Sequence, residues 1–138
     1  MQHFKILTVI ILLISLNNVF AQQGSSPADN GVYDIAGIDT MPQYPSGIRK
    51  FLEYVSKSYK FPQEALKAGV SGRVIVSFVV EKDGSLSQVR VLKDLGYDTG
   101  KEAIRVVEGS DKWMPGVQNG KKVRVQYTLP IALNSPRK

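Results

Sequence analysis

Cysteine is missing from this chain of 138 residues, and its single histidine, His3, stands close to the start. A chain without cysteine cannot form disulfides, and one histidine cannot build a Cys or His zinc site. Past His3, the histidine of a nucleophilic triad is missing as well. The composition therefore excludes thiol enzymes, histidine triads and most zinc proteins. We predict no catalytic residue, no metal ligand and no cofactor.

Long hydrophobic runs are also scarce, and the longest one lies at the start, from Ile6 to Leu16. It is shorter than the roughly 20 apolar residues that a membrane-spanning helix needs. Lys5 precedes the run and a small-residue pattern ending at Ala21 follows it, as in a secretory signal peptide. We expect export and cleavage after Ala21. An uncleaved leader that anchors the chain in the inner membrane is the alternative.

Positive charge exceeds negative charge only moderately. The chain carries 18 Lys and Arg residues against 12 Asp and Glu residues, a formal net charge of +6. The basic residues are scattered along the chain, and export would separate them from nucleic acid. We therefore expect no nucleic-acid partner. A solvated basic surface that weakly attracts anionic partners is the expected result.

Composition divides the chain into four parts. Residues 1–21 are the predicted signal peptide. Residues 22–40 are rich in Gln, Gly, Ser, Asp and Asn, which is typical of a flexible tether. Residues 41–133 are expected to form one domain, because their number suits a single small core. Residues 134–138 are a tail.

Three segments have helical patterns. The first is an amphipathic stripe with apolar residues at i, i+3, i+4 and i+7, namely Ile48, Phe51, Leu52 and Val55. A second, shorter helix is expected between Pro62 and Gly69, because proline favours the first turn and glycine follows the last. A third begins where Thr99 and Glu102 match a capping box, and it ends at Gly109.

Three further segments have the patterns of strands. Arg73 to Glu81 is β-branched and apolar on both faces, which indicates a central strand. Leu86 to Leu92 follows the tight-turn pair Asp83-Gly84, so the two strands form a hairpin. The last strand, Val123 to Ile131, alternates apolar and polar residues. Pro130 places it at a sheet edge, because proline cannot donate a backbone hydrogen bond.

The directions of these elements predict the fold class. The third helix returns the chain along the sheet, so the last strand pairs with the first. We predict a small α+β domain with a three-stranded antiparallel sheet, in the order second, first, last, and two helical regions packed on one face. Trp113 is expected in the core. Asp94, Asp98 and Glu102 are expected to stabilise the start of the third helix.

A set of short segments lies in a fixed order along these elements: Phe61-Pro62-Gln63-Glu64-Ala65, Gly72-Arg73-Val74, Phe78-Val79-Val80, Asp83-Gly84-Ser85, Val89-Arg90-Val91, Ala103, Trp113-Met114-Pro115-Gly116, and Val123-Arg124-Val125 through Thr128-Leu129-Pro130. In order and spacing, these segments resemble the C-terminal domain of TonB, the energy transducer of Gram-negative envelopes. The resemblance covers Met41 to Leu133. The family usually has Tyr-Pro at the position of Phe61-Pro62, and Tyr59 lies two residues earlier.

The resemblance implies a periplasmic, non-enzymatic domain that binds N-terminal segments of TonB-dependent outer-membrane receptors and so takes part in transmembrane transport. It implies binding by strand addition, in which the segment pairs with an exposed sheet edge. We expect the last strand to be that edge, so proline at Arg124 or Gln126 would block binding. The expected binding residues are Val123, Arg124, Val125, Gln126, Tyr127, Thr128, Leu129, Tyr59, Phe61 and Pro62.

Other functions stay open. With a retained leader, the chain would be a minimal TonB-like energy transducer in the inner membrane, in contact with motor proteins, although it lacks the long Pro-rich spacer of a full transducer. A small periplasmic ligand-binding protein or enzyme is a further alternative, which needs a deep pocket with converging polar groups. An open sheet edge also makes a homodimer through that edge conceivable.

Overall fold

Residues 30–136, the part of the chain that the computed structural model describes, alternate between helices and strands. The predicted signal peptide lies outside these residues. The helices are α1 Ile48–Ser58, α2 Gln63–Ala68 and α3 Thr99–Glu108. The strands are β1 Val32–Asp34, β2 Ser71–Val80, β3 Leu86–Lys93, β4 Gly116–Gln118 and β5 Lys121–Asn134.

The sheet confirms the predicted α+β class and its central topology. β2 pairs antiparallel with both β3 and β5, so the predicted order of second, first and last strand is β3-β2-β5. The prediction of only three strands is wrong, because β1 and β4 also pair with β5. Each of these two strands has 3 residues, which is too short for an alternating pattern to reveal a strand in the sequence.

The folded chain starts earlier than the predicted tether allows. Val32–Asp34 pairs in parallel with residues 124–126 of β5. Farther along, Thr40 and Val117 exchange two backbone hydrogen bonds of 3.0 Å. The second half of the predicted tether is therefore part of the fold, and the expected start of the domain at Met41 is corrected. Backbone pairing can hold a polar segment in place without an apolar pattern, so composition did not reveal it.

β5 is an edge strand over only part of its length. β4 pairs with residues 121–123, and β1 occupies the side away from β2 over residues 124–126. The expectation of an open edge from Val123 to Gln126 is therefore wrong. Proline at position 124 or 126 would disturb β1 and would not test an open edge. Within the part of the chain described, residues 127–134 pair with β2 alone.

The core lies between the helices and one face of the sheet. Alternate residues of β2 and β5 face α1 and α3, as predicted for helices on one face. The buried core cluster consists of Tyr44, Phe51, Val55, Val74, Val76, Phe78, Val80, Ala103, Val106, Val107, Trp113, Leu129, Ile131 and Leu133.

Trp113 is the central aromatic residue of this core. Its ring centroid lies 5.0 Å from that of Phe51, 5.4 Å from that of Phe78 and 5.3 Å from that of Tyr127. These contacts are edge-on, which is a favourable arrangement for aromatic rings. The side chain is 3% exposed. The prediction of a core role for Trp113 is confirmed.

The turn between β2 and β3 confirms the predicted hairpin and explains its glycine. The Glu81 N–H donates to the Ser85 carbonyl at 2.8 Å, and Gly84 has a φ of 85°. The Gly84 carbonyl accepts the Trp113 N–H at 2.8 Å. A Cβ at position 84 would lie 1.9 Å from the Trp113 carbonyl oxygen. Any side chain at this position would push the turn away from Trp113.

The start of α3 differs from the predicted capping box. Asp98 occupies the N-cap position without a capping bond from its side chain, and Thr99 is already helical. The Glu102 carboxylate accepts the Lys60 backbone N–H at 2.9 Å. Its partner is therefore the chain segment after α1, because packing brings that segment against α3.

Asp94 stabilises this helix start, as expected. Its Oδ1 accepts hydrogen bonds from Gly96 N at 3.0 Å, Thr99 Oγ1 at 2.8 Å and Gly100 N at 3.1 Å. Partial burial by itself would raise the pKa of Asp94, but these hydrogen bonds outweigh it and hold the pKa below its ordinary value. Asp94 therefore has a structural role.

Candidate functional site

The free part of β5 directs backbone groups outward at every second residue. The Ser135 N–H donates to the Val70 carbonyl at 3.0 Å, and this pair continues the β2–β5 register by one residue. Because hydrogen-bonded pairs alternate in antiparallel strands, odd-numbered residues of β5 bond to β2. The even-numbered residues direct their N–H and C=O groups outward. These residues form the open edge: Thr128, Pro130, Ala132 and Asn134.

Pro130 lies on the open edge without removing a hydrogen bond between β5 and β2. It lies opposite Ile75 of β2, at a position where the ladder needs no N–H from β5. The Pro130 carbonyl remains an outward acceptor. A partner strand would therefore find donors at Thr128, Ala132 and Asn134 but none at Pro130.

A groove of about 380 Å³ lies between α1 and the open edge, and we call it the α1 groove. Leu52, Val55 and Ser56 line its helix side, and residues 130–134 line its strand side. Leu52 is 40% exposed although it belongs to the apolar stripe of α1. An exposed apolar side chain beside unpaired backbone groups suits an extended peptide with alternating side chains.

Tyr59 and Phe61 also line the α1 groove. Their rings meet edge-on with centroids 5.1 Å apart. The Tyr59 hydroxyl donates to the Thr99 carbonyl at 2.8 Å. Burial, with the nearby charges of Glu102 and Asp94, raises the pKa of Tyr59 to about 12. The hydroxyl therefore keeps its proton at neutral pH and acts as a fixed wall of the groove.

The opposite edge of the sheet, on β3, is less suited to pairing. Its register against β2 shifts next to Val76 and again before Val79. Gln88 of β3 has a φ of 48°, which is unusual for a residue other than glycine. Such bulges distort the outer backbone groups and protect an edge from further pairing. By contrast, residues 125–134 of β5 pair with β2 in one unbroken register.

Half of the predicted binding residues lie away from the open edge. Val123, Val125 and Leu129 are buried side chains. Arg124 and Gln126 pair with β1. Within residues 30–136, the part of the predicted strand with an unpaired outer side lies closer to its C-terminal end than we expected.

Three of the remaining predicted residues lie on the open edge or in the wall of the α1 groove. Thr128 is on the open edge, and Tyr59 and Phe61 line the groove. Tyr127 is half-buried against the core. Pro62 precedes α2 and is not among the residues that line the groove.

Four residues of the candidate site were not predicted from the sequence: Leu52, Ser56, Ala132 and Asn134. Two signals pointed to them. Alternation of small or polar with apolar residues continues past Ile131 to Leu133, and Leu52 stands at the border of an apolar stripe. The helix border that faces the strand depends on packing, so the sequence pattern alone does not select it.

Arg124 joins β1 to the rest of the sheet. Its Nε donates to Glu81 Oε2 at 2.7 Å and its Nη2 to Glu81 Oε1 at 3.0 Å. A further nitrogen, Nη1, donates to the Asn30 carbonyl at 2.9 Å. Ser87 Oγ donates to the same Glu81 carboxylate. This two-point ion pair fixes the guanidinium at the point where the chain enters β1.

Glu81→Gln should lower the free energy of unfolding at pH 7 by about 1 kcal/mol. The hydrogen bond from Arg124 holds the pKa of Glu81 below its ordinary value, against the opposing effect of burial. A depressed carboxylate pKa stabilises the fold above the unfolded pKa, and this contribution is lost as pH falls through the folded pKa. Urea unfolding of both proteins should therefore give curves that converge at acidic pH.

Glu64→Gln is the matched control for this prediction. Glu64 also pairs with a cation, Lys67, at 2.9 Å, but both side chains are mostly exposed. We expect a change within about 0.5 kcal/mol at either pH. A loss in Glu81→Gln that persists unchanged at acidic pH would contradict the assigned role of the ion pair.

Residues 30–136 contain neither a metal-binding cluster nor a membrane-spanning helix. No group of three or more His, Cys, Asp or Glu side chains in these residues could hold a metal ion. None of the helices found there has the length and apolar character that crossing a membrane requires.

Comparison with known proteins identifies the family. Residues 57–134 match the model of the Gram-negative bacterial TonB protein C-terminal family. Two solution NMR structures of the Helicobacter pylori TonB C-terminal domain, of residues 194–285 and 179–285, are each 22% identical to this chain. They cover 66% of it and 96% and 82% of their own chains, with TM-scores of 0.51 and 0.50.

The solution structure of the Pseudomonas aeruginosa TonB C-terminal domain is 20% identical and covers 78% of this chain and 100% of its own, with a TM-score of 0.43. A comparison with curated proteins gave no match. The family match spans more than half of the chain and includes α2, α3 and the four strands β2 to β5. The chain therefore belongs to the TonB C-terminal family.

Proposed function

We propose that this domain binds an N-terminal segment of a TonB-dependent outer-membrane receptor as an added strand on the open edge of β5. The TonB C-terminal family consists of periplasmic interaction domains, not of enzymes, and it acts with outer-membrane receptors. One observation carries the proposal: among residues 30–136, none pairs with the outer backbone groups of β5 at residues 128–134, which lie beside an apolar groove. Binding there would make the domain part of a transport system of the outer membrane.

Both the strand side and the helix side of this site suit an added strand. The outward N–H and C=O groups of Thr128, Ala132 and Asn134 supply hydrogen bonds that do not depend on the sequence of the partner. Side chains of the partner that point toward α1 would meet Leu52 and Phe61. Because successive side chains alternate between the two faces of a strand, every second residue of the partner would be selected for apolar character.

Export to the periplasm through a cleaved signal peptide is part of the proposal. The residues concerned, 1–21, lie outside the described part of the chain. The expected first residue after cleavage is Gln22. The intact mass of the protein from its native envelope fraction separates this form from one that retains its leader, and only the latter could act as a membrane-anchored transducer.

An NMR titration tests the binding proposal. Isotope-labelled protein would be mixed with synthetic peptides that cover the first periplasmic residues of TonB-dependent receptors from the same cell. We expect amide shifts at Thr128, Ala132 and Asn134, together with Leu52 and Ser56 across the groove. Peptides of the same composition in scrambled order are the control. Shifts that are absent for every peptide, or confined to β3, would contradict the proposal.

A further inference from the structure

We propose that β1 is a built-in competitor for the partner-binding edge, which a partner strand must displace to pair with the full outer side of β5. This regulation rests on the proposed function. β1 pairs with the same side of β5 that forms the open edge, at the residues directly before that edge. The chain therefore holds its own N-terminal segment where a receptor segment longer than the open edge would pair.

The register of β1 shows which backbone groups it covers. Tyr33 lies opposite Val125, which is the residue between Arg124 and Gln126 in β5. The last two are even-numbered, so they direct their backbone groups away from β2. In a parallel pair, a residue can bond to the two residues that flank its direct partner on the other strand. Tyr33 thus takes the two positions that extend the open edge toward the start of β5.

β1 is weakly held by side chains. It has 3 residues, fewer than the five or six of an average strand, and none of them is fully buried. Val32 is 39% exposed. A strand that buries so little apolar surface belongs to the least stable parts of a fold, which open locally without global unfolding.

The chain after β1 provides a hinge and a firm anchor. Gly37 has a φ of 94°, and no atom of the described residues lies within 4 Å of the position where a Cβ would be. Immediately beyond it, the Asp39 N–H donates to Gln118 Oε1 and Asp39 Oδ2 accepts the Asn119 N–H, both at 2.8 Å. β1 can therefore leave the edge by rotation near Gly37 while the anchor at Asp39 stays in place.

Arg124 could donate the same hydrogen bond to the β1 segment and to a partner strand that replaces it. Its guanidinium is oriented by Glu81, so it stays in position when β1 leaves. The Nη1 that now donates to the Asn30 carbonyl would then be available to a carbonyl of the partner strand. The competitor and the partner would in this way use the same side-chain contact as well as the same backbone groups.

Tyr33→Pro tests the competition in the full chain. Proline removes the Tyr33 N–H and weakens β1, whereas Tyr33→Ala removes only the side chain and is the matched control. The probe is the receptor peptide that produces the largest shifts in the NMR titration. We expect about tenfold tighter binding for Tyr33→Pro than for Tyr33→Ala, because a larger fraction of the protein has a vacant edge.

A disulfide that holds β1 on β5 tests the opposite change, in which β1 cannot leave the edge. The chain has no cysteine, so Asp34→Cys with Gln126→Cys introduces a single pair. These positions face each other in the β1–β5 register, and neighbouring strands lie about 4.8 Å apart, within the range of a disulfide. The oxidised protein should bind the same peptide about tenfold more weakly than its own reduced form.

The outcomes separate the two proposals. Equal affinity of the oxidised and reduced protein, with Tyr33→Pro no tighter than Tyr33→Ala, overturns the competition but leaves strand addition on the open edge intact. If no receptor peptide binds any form of the protein, including Tyr33→Pro, the proposed function is overturned and the competition with it. Tighter binding on loss of β1 and weaker binding on locking it support both. The lock keeps the test decisive if Tyr33→Pro does not fold.

Discussion

Trp113→Ala should lower the free energy of unfolding by about 3–5 kcal/mol, the range observed when a large buried aromatic side chain is removed. The indole fills the space between α1 and the sheet, with edge-on contacts to Phe51, Phe78 and Tyr127. Small domains have only about 5–15 kcal/mol of stability in total. The variant should therefore unfold at much lower urea concentration, or fail to fold.

Met114→Ala is the matched control for Trp113→Ala. Met114 is the next residue and its backbone pairs with Gln43, but its side chain is 53% exposed. We expect a change within about 0.5 kcal/mol. Urea unfolding followed by circular dichroism measures both variants. Similar losses of stability at the two positions would mean that Trp113 does not organise the core.

Ala132→Pro should reduce the affinity for a receptor peptide about tenfold or more while the domain stays folded. Ala132 is exposed and even-numbered, so its N–H points away from β2 and is available to a partner strand. Proline removes that donor and places its ring on the open edge. Loss of one hydrogen bond of about 1.4 kcal/mol corresponds to tenfold in affinity, and the ring adds a steric obstacle.

Ala132→Thr is the control, because threonine keeps the N–H and suits a strand. Its affinity for the peptide should stay within about threefold of the original chain. Isothermal titration calorimetry measures both variants, and circular dichroism verifies that both are folded. A folded Ala132→Pro variant with unchanged affinity would show that the partner does not pair with the open edge.

Elements whose sequence patterns extend over many residues were predicted correctly. The apolar spacing from Ile48 to Val55 and the alternation from Val123 to Ile131 each extend over two turns or several residues, and both elements are present. Asp83-Gly84 predicted its hairpin because a tight turn needs a positive φ. The capping box at Thr99 failed, because a two-residue pattern is easily outweighed by packing of the segment at Lys60.

The sequence indicated β5 as a candidate edge but not which of its residues are already paired. Arg124 and Gln126 have the alternation of an exposed edge, and nothing in their own segment reveals that β1 pairs with them. That pairing joins positions about 90 residues apart. Its partner strand of 3 residues is too short to be recognised by periodicity.

By itself, the sequence determined the α+β class, the central order β3-β2-β5, the core position of Trp113 and the choice of β5 as the candidate edge. These properties follow from local patterns of apolar residues and turns, which act within a few residues of the chain. Only the tertiary structure decided which half of β5 is open, which side of α1 faces it, and that the N-terminal segment occupies the remainder. The physical reason is that a strand of 3 residues is too short to carry an apolar pattern, and the backbone hydrogen bonds that hold it are almost independent of side-chain identity.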